Sequence, residues 1–266
     1  MKPVPIIHMH IPKTAGSTTT TMLLQSFRDE EVFLCGNNKF NLNHYQSNIY
    51  FTSLPDEEKA RYKFIAGHVE FALIQSYPAP HFSFTFLRNP ISRINSMYFY
   101  IKQNPRHHLH ALLVNDNISM EAFCRLKLWH ELDNGMCRRL SGLADAVPYG
   151  QCDSGVLEQA KYNLTNNISF FGLQERFNES IFLLLYTLDD LASLEYHRKN
   201  TTKVKKNDRS LTGSEHEALA ESNQYDLQLY EYARELYAAR NKPLTTLLAK
   251  PLNSYLLAMK KKEQAS

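Results

Sequence analysis

The chain has 266 residues, 43% hydrophobic and 21% charged, a globular composition that suits one large domain or two small ones and excludes a disordered chain. Its net charge of +3 is too small to argue for nucleic acid but is compatible with anionic ligands. No apolar run approaches the roughly 18 residues of a membrane span, the N-terminal apolar core is too short for a signal peptide, and four scattered cysteines (Cys35, Cys124, Cys137, Cys152) exclude a disulfide scaffold or zinc site and are expected to be reduced, a Cys137–Cys152 bridge being the one pairing to check.

In chain order, "VPIIHMHI" (residues 4–11) reads as a buried strand and "GSTTTTMLLQSF" as the helix after it. Its consecutive threonines are poor helix formers, so tertiary contacts or a ligand at its N-terminus must hold it. Residues 28–62 read as polar and irregular. "YKFIAGHVEF" (62–71) gives a second strand and "HFSFTFLRNP" (81–90) a third, after which Pro90 suits the first turn of the helix "PISRINSMYFYIKQ". Residues 103–153 mix short helices with the basic stretches "NPRHHLH" and "CRRL". "SGVLEQAKYNLTNN" is a helix, "ISFFGL" a fourth strand and "NESIFLLLYTLDDL" another helix. Residues 198–212 form a basic loop. Ser214 and Glu217 read as a capping box opening a long helix with Leu219, Leu227, Tyr230, Ala233 and Tyr237 at helical spacing. "KPLTTLLAKPLNSYLLAMKKK" closes the chain.

Short apolar strands alternating with helices predict an α/β protein, a three-layer P-loop-type fold with a central, mainly parallel sheet flanked by helices. In such sheets ligands sit at the carboxyl ends of the strands. Lys13, His68 and Arg88 each follow a strand, so the pattern gathers them at one edge.

The stretch "HIPKTAGST" turns from strand into helix. A helix start offers free N–H groups and a partial positive charge, Lys13 adds a full charge, Thr14, Ser17 and Thr18 add hydroxyls, and Gly16 admits a close approach. Together they form a candidate phosphate cradle. In "LRNPISRINS", Arg88 leaves the third strand and Ser96 lies eight residues on, so both can reach a second anion. Arg93 is either a helper there or a solvated helix charge. The strands end in Pro-Lys, Gly-His and Arg-Asn, without the aspartate that holds Mg²⁺ in P-loop kinases and hydrolases. His68 can accept a proton near neutrality, though a lone histidine is more often structural. Glu70 shares its face if the strand continues, as a second candidate base or an orienting carboxylate.

These segments together resemble the PAPS-dependent carbohydrate sulfotransferases, especially the heparan sulfate 2-O-sulfotransferases and bacterial relatives. "HIPKTAGST" is similar to that family's 5′-phosphosulfate loop, "FLRNPISRINSMYFY" to its 3′-phosphate motif, "AGHVEF" to its Gly-His-Val segment, "LEQAKYNLTNNISFFGLQERFNESI" to its later helix–strand–helix, and "RKNTTKVKKN" to its cofactor-closing loop. The likeness covers most of residues 5–240. It implies that Lys13, Thr14, Ala15, Gly16, Ser17 and Thr18 hold the 5′-phosphosulfate of PAPS, that Arg88 and Ser96 hold the 3′-phosphate, that Lys199, Asn200, Thr201, Thr202, Lys203 and Lys205 cover the adenosine, and that His68 is the general base of an in-line transfer with Lys13 at the leaving phosphate. PAPS is then the donor, PAP the product, and no metal is required.

The chain departs from the pattern where Asn89 replaces an aspartate before Pro90 and where Ala66 replaces a second histidine. The latter puts a two-histidine mechanism in doubt. The resemblance implies a single domain over residues 1–266: a PAPS-binding core of 4–102 and 154–240 with an acceptor-binding insertion at 103–153. The acceptor is expected to be a saccharide or polysaccharide, acidic ones included, facing Glu70, Arg106, His107 and Arg138, with Arg125, Lys127 and Arg139 in the same basic wall. The missing anchor implies a bacterial-type cytoplasmic enzyme or else the catalytic fragment of a Golgi one. Two other readings stay open: a P-loop small-molecule kinase, and a non-catalytic nucleotide- or glycan-binding relative.

Overall fold

Five short strands build one sheet: β1 (Ile6–Met9), β2 (Val32–Cys35), β3 (Phe64–Gly67), β4 (Phe82–Leu87) and β5 (Phe170–Leu173). They lie in the order β2-β3-β1-β4-β5, and every pairing is parallel. The strands are almost wholly buried because helices cover both faces, and the polar His8, Ser83 and Thr85 they carry are buried with them. The α/β fold expected from the sequence is therefore the one found. Register levels the central strand ends: Met9 of β1 faces Gly67 of β3 on one side and Thr85 of β4 on the other. The chain leaves β1 toward β2 and leaves β4 toward β5, in opposite directions. The crevice between β1 and β4 is thus the switch point where such sheets bind ligands.

The computed structural model describes residues 4–36, 41–126, 128–144, 146–189 and 211–265. Around the sheet run α1 (Gly16–Leu24), α2 (His44–Ser53), α3 (Asp56–Lys59), α4 (Phe71–Ser76), α5 (Pro90–Gln103), α6 (His110–Asn115), α7 (Met120–Arg125), α8 (Gly135–Ser141), α9 (Ser154–Asn166), α10 (Phe177–Thr187), α11 (Gly213–Ser222), α12 (Gln224–Leu247) and α13 (Ala249–Ala265). Among the described residues no helix is long and apolar enough to cross a membrane.

The main core joins the sheet to α1, α9, α10 and α12 through fully buried side chains such as Ile7, Phe64, Phe84, Phe86 and Tyr237. A second cluster, with Ile94, Met97, Ile101, Leu113, Phe123 and Leu219, ties α5 to α6, α7 and α11. Buried charge joins the parts. Arg93 on α5 is wholly buried and pairs with Glu131 at 2.9 Å and Asp226 at 3.6 Å. Asp226 on α12 accepts the Met136 and Cys137 amides at the start of α8, where the helix dipole favours a carboxylate. Arg93 is therefore neither a solvated charge nor free for a ligand.

Several local expectations change. The segment read as irregular contains β2 and α2, the latter opened by an Asn43–Gln46 capping box. The second strand stops at Gly67, and a helix begins at Phe71 with Glu70 as its N-cap residue, so His68 and Glu70 share no strand face. The later capping box is Thr212 with Glu215, not Ser214 with Glu217. The helix expected behind it divides at Asn223, whose buried side chain donates to the Leu132 and Leu219 carbonyls. Asn89 caps α5, accepting the Ser92 amide, with Pro90 next in the first turn as its sequence position suggests. All four cysteines are free, so Cys137 and Cys152 are unbridged.

Candidate active site

The turn between β1 and α1 sets the site. Lys13 (φ 69°) and Ala15 (φ 70°) both adopt the left-handed conformation, a strained state for non-glycine residues that persists only where the surroundings impose it. The imposed contacts are visible: Thr14 Oγ1 donates to the Ile11 carbonyl at 2.8 Å, the His10 amide donates to the Gly67 carbonyl at 2.8 Å, and Thr85 Oγ1 donates to the Met9 carbonyl at 2.7 Å. Such a turn aims successive N–H groups inward as an anion nest. Among the described residues no side chain caps α1, and its first turn holds no acidic residue. Gly16 is obligatory here, since a Cβ would lie 1.9 Å from the His10 ring. The threonines after it are held by tertiary contacts: Thr19 is buried with its hydroxyl toward the Ala15 carbonyl, and Thr20 bonds His8 Nδ1 at 2.9 Å.

A cleft of about 1580 Å³ opens over the strand ends and is lined by Lys13, Ala15, Gly16, Ser17, Thr18, His68, Glu70, Arg88, Ser96, Arg106 and His107. The structure therefore brings together most of the sequence candidates from strands β1, β3 and β4. Thr14 is buried and its hydroxyl is committed to the backbone, so only its main chain remains to face a ligand. Residues Lys199, Asn200, Thr201, Thr202, Lys203 and Lys205 lie outside the described residues, as does Lys127.

Lys13 and Arg88 meet at the switch point. Arg88 donates to the Lys13 carbonyl at 3.1 Å, and Lys13 Nζ sits 4.2 Å from the centre of the Tyr100 ring, a cation–π contact. Burial and the Arg88 charge lower the Lys13 ammonium to about 8. Burial also lowers Arg88, and its buried Nε has no partner among the described residues. Neither cation forms an ion pair with a carboxylate among those residues. Glu175, just after β5, borders the cleft, but its oxygens accept the Asn89 amide and the Tyr230 hydroxyl. Two converging cations, a free helix start and an orphaned guanidinium N–H fit a dianionic phosphate pair.

On the other side of β1 stands a histidine group. His68 stacks on His44 with centroids 4.1 Å apart and meets His10 edge-on at 5.3 Å. Burial, followed by the charges of Arg139, His10 and His44, lowers His68 well below its ordinary value. Burial and Arg139 lower His10 to about 4. His68 is thus a neutral imidazole at physiological pH, able to accept a proton. Ala66, where a second histidine is expected from the resemblance, is buried inside β3.

The expected basic wall is mostly self-neutralised. Arg138 is buried and spends its donors on Asp133 and the Pro148 carbonyl, so it does not face the cleft. Arg139 pairs with Glu131 at 2.5 Å and Glu70 at 3.2 Å, and Arg125 pairs with Glu121 at 3.3 Å. Arg106 is exposed at the cleft and forms no ion pair among the described residues. Beside it stand Tyr100, His107, His108 and Trp129, with ring centroids 4.5–6.1 Å apart. Burial and the neighbouring His108 lower His107 to about 4, so His107 adds no charge of its own beside Arg106.

Sequence reasoning missed His10, His44 and Trp129. His10 had a signal, two residues beyond His8 on the strand that leads into the loop. His44 had none, because it lies in the segment read as irregular and reaches His68 only through the sheet order.

No curated protein matches the chain. Among solved structures, that of the mouse sulfotransferase SULT7A1 in complex with PAP is similar, with 15% identity and a TM-score of 0.39 over 84% of this chain and 64% of that one. The chain thus spans a little under two thirds of that enzyme's length. The sulfotransferase family model matches residues 2–238, nearly the whole described sheet and its helices, and on that match the chain belongs to the sulfotransferase family.

Proposed function

We propose that this protein is a PAPS-dependent O-sulfotransferase that sulfates a saccharide hydroxyl. The observation that carries this reading is the pairing of Lys13 and Arg88, two half-buried cations without an ion-paired carboxylate among the described residues, at an uncapped helix start and across a cleft from a neutral histidine. Held there, PAPS would supply the sulfuryl group and leave as PAP. The residues fit it: the amides from Ala15 to Thr18 with Lys13 face the 5′-phosphosulfate, and Arg88 with Ser96 faces the 3′-phosphate.

The chain's own work is then positioning and electrostatics. His68 takes the proton of the attacking hydroxyl. Lys13 and the helix amides offset the charge that grows on the leaving 5′-phosphate. His68 keeps the proton after the transfer and returns it to solvent when the product leaves.

Residues 103–153 supply the acceptor wall against the core of 4–102 and 154–240. Because Arg125, Arg138 and Arg139 are each spent on carboxylates, leaving Arg106 as the unpaired cation among these arginines, this wall favours a sugar ring of low charge stacked on its aromatic side chains over a polyanion that needs many free cations. Labelled-sulfate transfer from PAPS across neutral glycans, acidic glycans, phenols and peptides tests this, with chelator present. A neutral saccharide should be labelled best. Transfer confined to phenols or peptides would overturn the acceptor class, and a requirement for Mg²⁺ with ATP would favour a kinase. Trp129 is the only tryptophan in the chain, so its fluorescence should change when the acceptor binds, and Trp129→Ala should raise the acceptor KM roughly 10-fold with little change in PAP affinity.

A further inference from the structure

His44 lies outside every motif of the sequence, yet its ring, although the residue is exposed, is fastened against the candidate base. Its Nδ1 contacts the Cys35 carbonyl at 2.9 Å, so that nitrogen carries the proton and Nε2 is left bare. Gly36 (φ 83°) closes under the ring, where a Cβ would come within 2.1 Å of His44 Nδ1. One helical turn on, Asn48 donates to the His44 and His68 carbonyls and accepts the Glu70 amide. The start of α2 therefore ties the His44 backbone to the backbone that carries His68, while the Cys35 carbonyl and the Gly36 seat hold the ring itself. A filler of space needs no such fastening.

The rings of His44 and His68 are nearly parallel, 15° apart. In that arrangement neither ring points an N–H at the other's lone pair, so the pair does not pass a proton between its members. It does share its charge: two imidazolium rings at 4.1 Å repel strongly.

We propose that His44 is a positioning residue for His68, its clamped and uncharged ring holding the His68 imidazole toward the acceptor and leaving that place free for a single positive charge. The proposal rests on His68 being the general base. The other groups around the pair act the same way or are already committed. Arg139 on α8 adds positive charge but is tied to Glu131 and Glu70. His10 from the β1 turn is held neutral by burial. The Cys35 thiol is pushed up to about 12 and stays protonated.

Burial depresses His44 less than His68, so acidification charges His44 first. A charged His44 makes the proton on His68 costlier and weakens the base. The acid limb of the pH–rate profile is therefore set by His44. His44→Phe keeps a ring in the stack but removes the titrating nitrogen.

The test combines PAP binding, transfer rates against pH, and NMR titration of the histidine ring protons for the wild type, His44→Ala and His44→Phe. PAP affinity should stay within about 3-fold in both variants, which also shows that they fold. Turnover should fall on the order of 10²-fold in His44→Ala and recover in part in His44→Phe. In His44→Phe the acid limb should move to lower pH, while the NMR titration of His68 moves to higher pH. Wild-type turnover in His44→Ala, or an unmoved limb and an unmoved His68 titration in His44→Phe, would overturn the proposal. The NMR arm needs no acceptor, so it still decides the His44–His68 coupling if the function proposed above fails.

Discussion

At the scale of single residues, the site separates charge from neutrality by burial. Lys13 and Arg88 are cations kept close together, whereas His10, His44 and His68 are imidazoles held uncharged. Arg88→Ala should weaken PAP about 10- to 100-fold and erase its advantage over adenosine 5′-monophosphate, because only PAP carries the 3′-phosphate. Lys13→Ala should weaken both nucleotides. Calorimetric titration of the two against each variant measures this. Lys13 also sets a pH dependence: an anion favours its protonated form, and the free ammonium titrates at about 8. PAP binding should therefore take up protons and weaken as pH rises through that value. Affinity flat from pH 7 to 9 would remove Lys13 from the phosphate contact.

At the scale of elements, the β1–α1 turn and the buried charge layer carry most of the consequences. Gly16→Ala forces its Cβ into the His10 ring, which in turn leans on His68. Both PAP affinity and turnover should drop, with a stability loss of about 1–3 kcal/mol by denaturant unfolding. Arg93→Ala leaves Asp226 without its buried counter-charge and Glu131 with Arg139 alone and should cost about 3–5 kcal/mol in urea unfolding. Elements were legible where one segment states its own chemistry. "PKTAGST" reads as a candidate phosphate turn and "LRNPISR" as the start of a helix, and the structure has a left-handed turn before α1 and a helix from Pro90 at those places. α2 was not legible, because "HYQSNIYFTS" has almost no apolar periodicity and is stabilised by its cap and by β2. Arg93 and Arg138 were misjudged for a related reason: a charged residue on a helix looks solvated until the carboxylates that bury it, Glu131, Asp226 and Asp133, arrive from distant parts of the chain.

At the scale of the whole molecule, the sheet order decides what meets what. Strand β1 lies between β3 and β4, so the phosphate turn has the histidine side on one hand and Arg88 on the other. Alternating strands and helices disclosed the parallel sheet, but not the order that brings residue 44 to residue 68. The histidines whose proton affinity the fold lowers also tie stability to pH. His8, His10, His44, His68 and His107 are lowered by burial from their ordinary value of 6.5, so below that pH the unfolded chain binds more protons than the folded one. Tm should be level from pH 7 to 8 and fall steadily from about 6.5 toward 4 in calorimetry; a Tm that rises between pH 6.5 and 5 would contradict these neutral assignments.

The central claim is that one cleft holds the phosphates of PAPS and presents His68 as the base. The direct measurement is single-turnover transfer of labelled sulfuryl from PAPS to a saccharide by the wild type and by His68→Ala, with PAP affinity measured on both. The account predicts that His68→Ala binds PAP as the wild type does and transfers 10²- to 10⁴-fold more slowly, an order-of-magnitude range for a lost general base. Full-speed transfer by His68→Ala, or a wild type that neither binds PAP nor labels any hydroxyl, would contradict it.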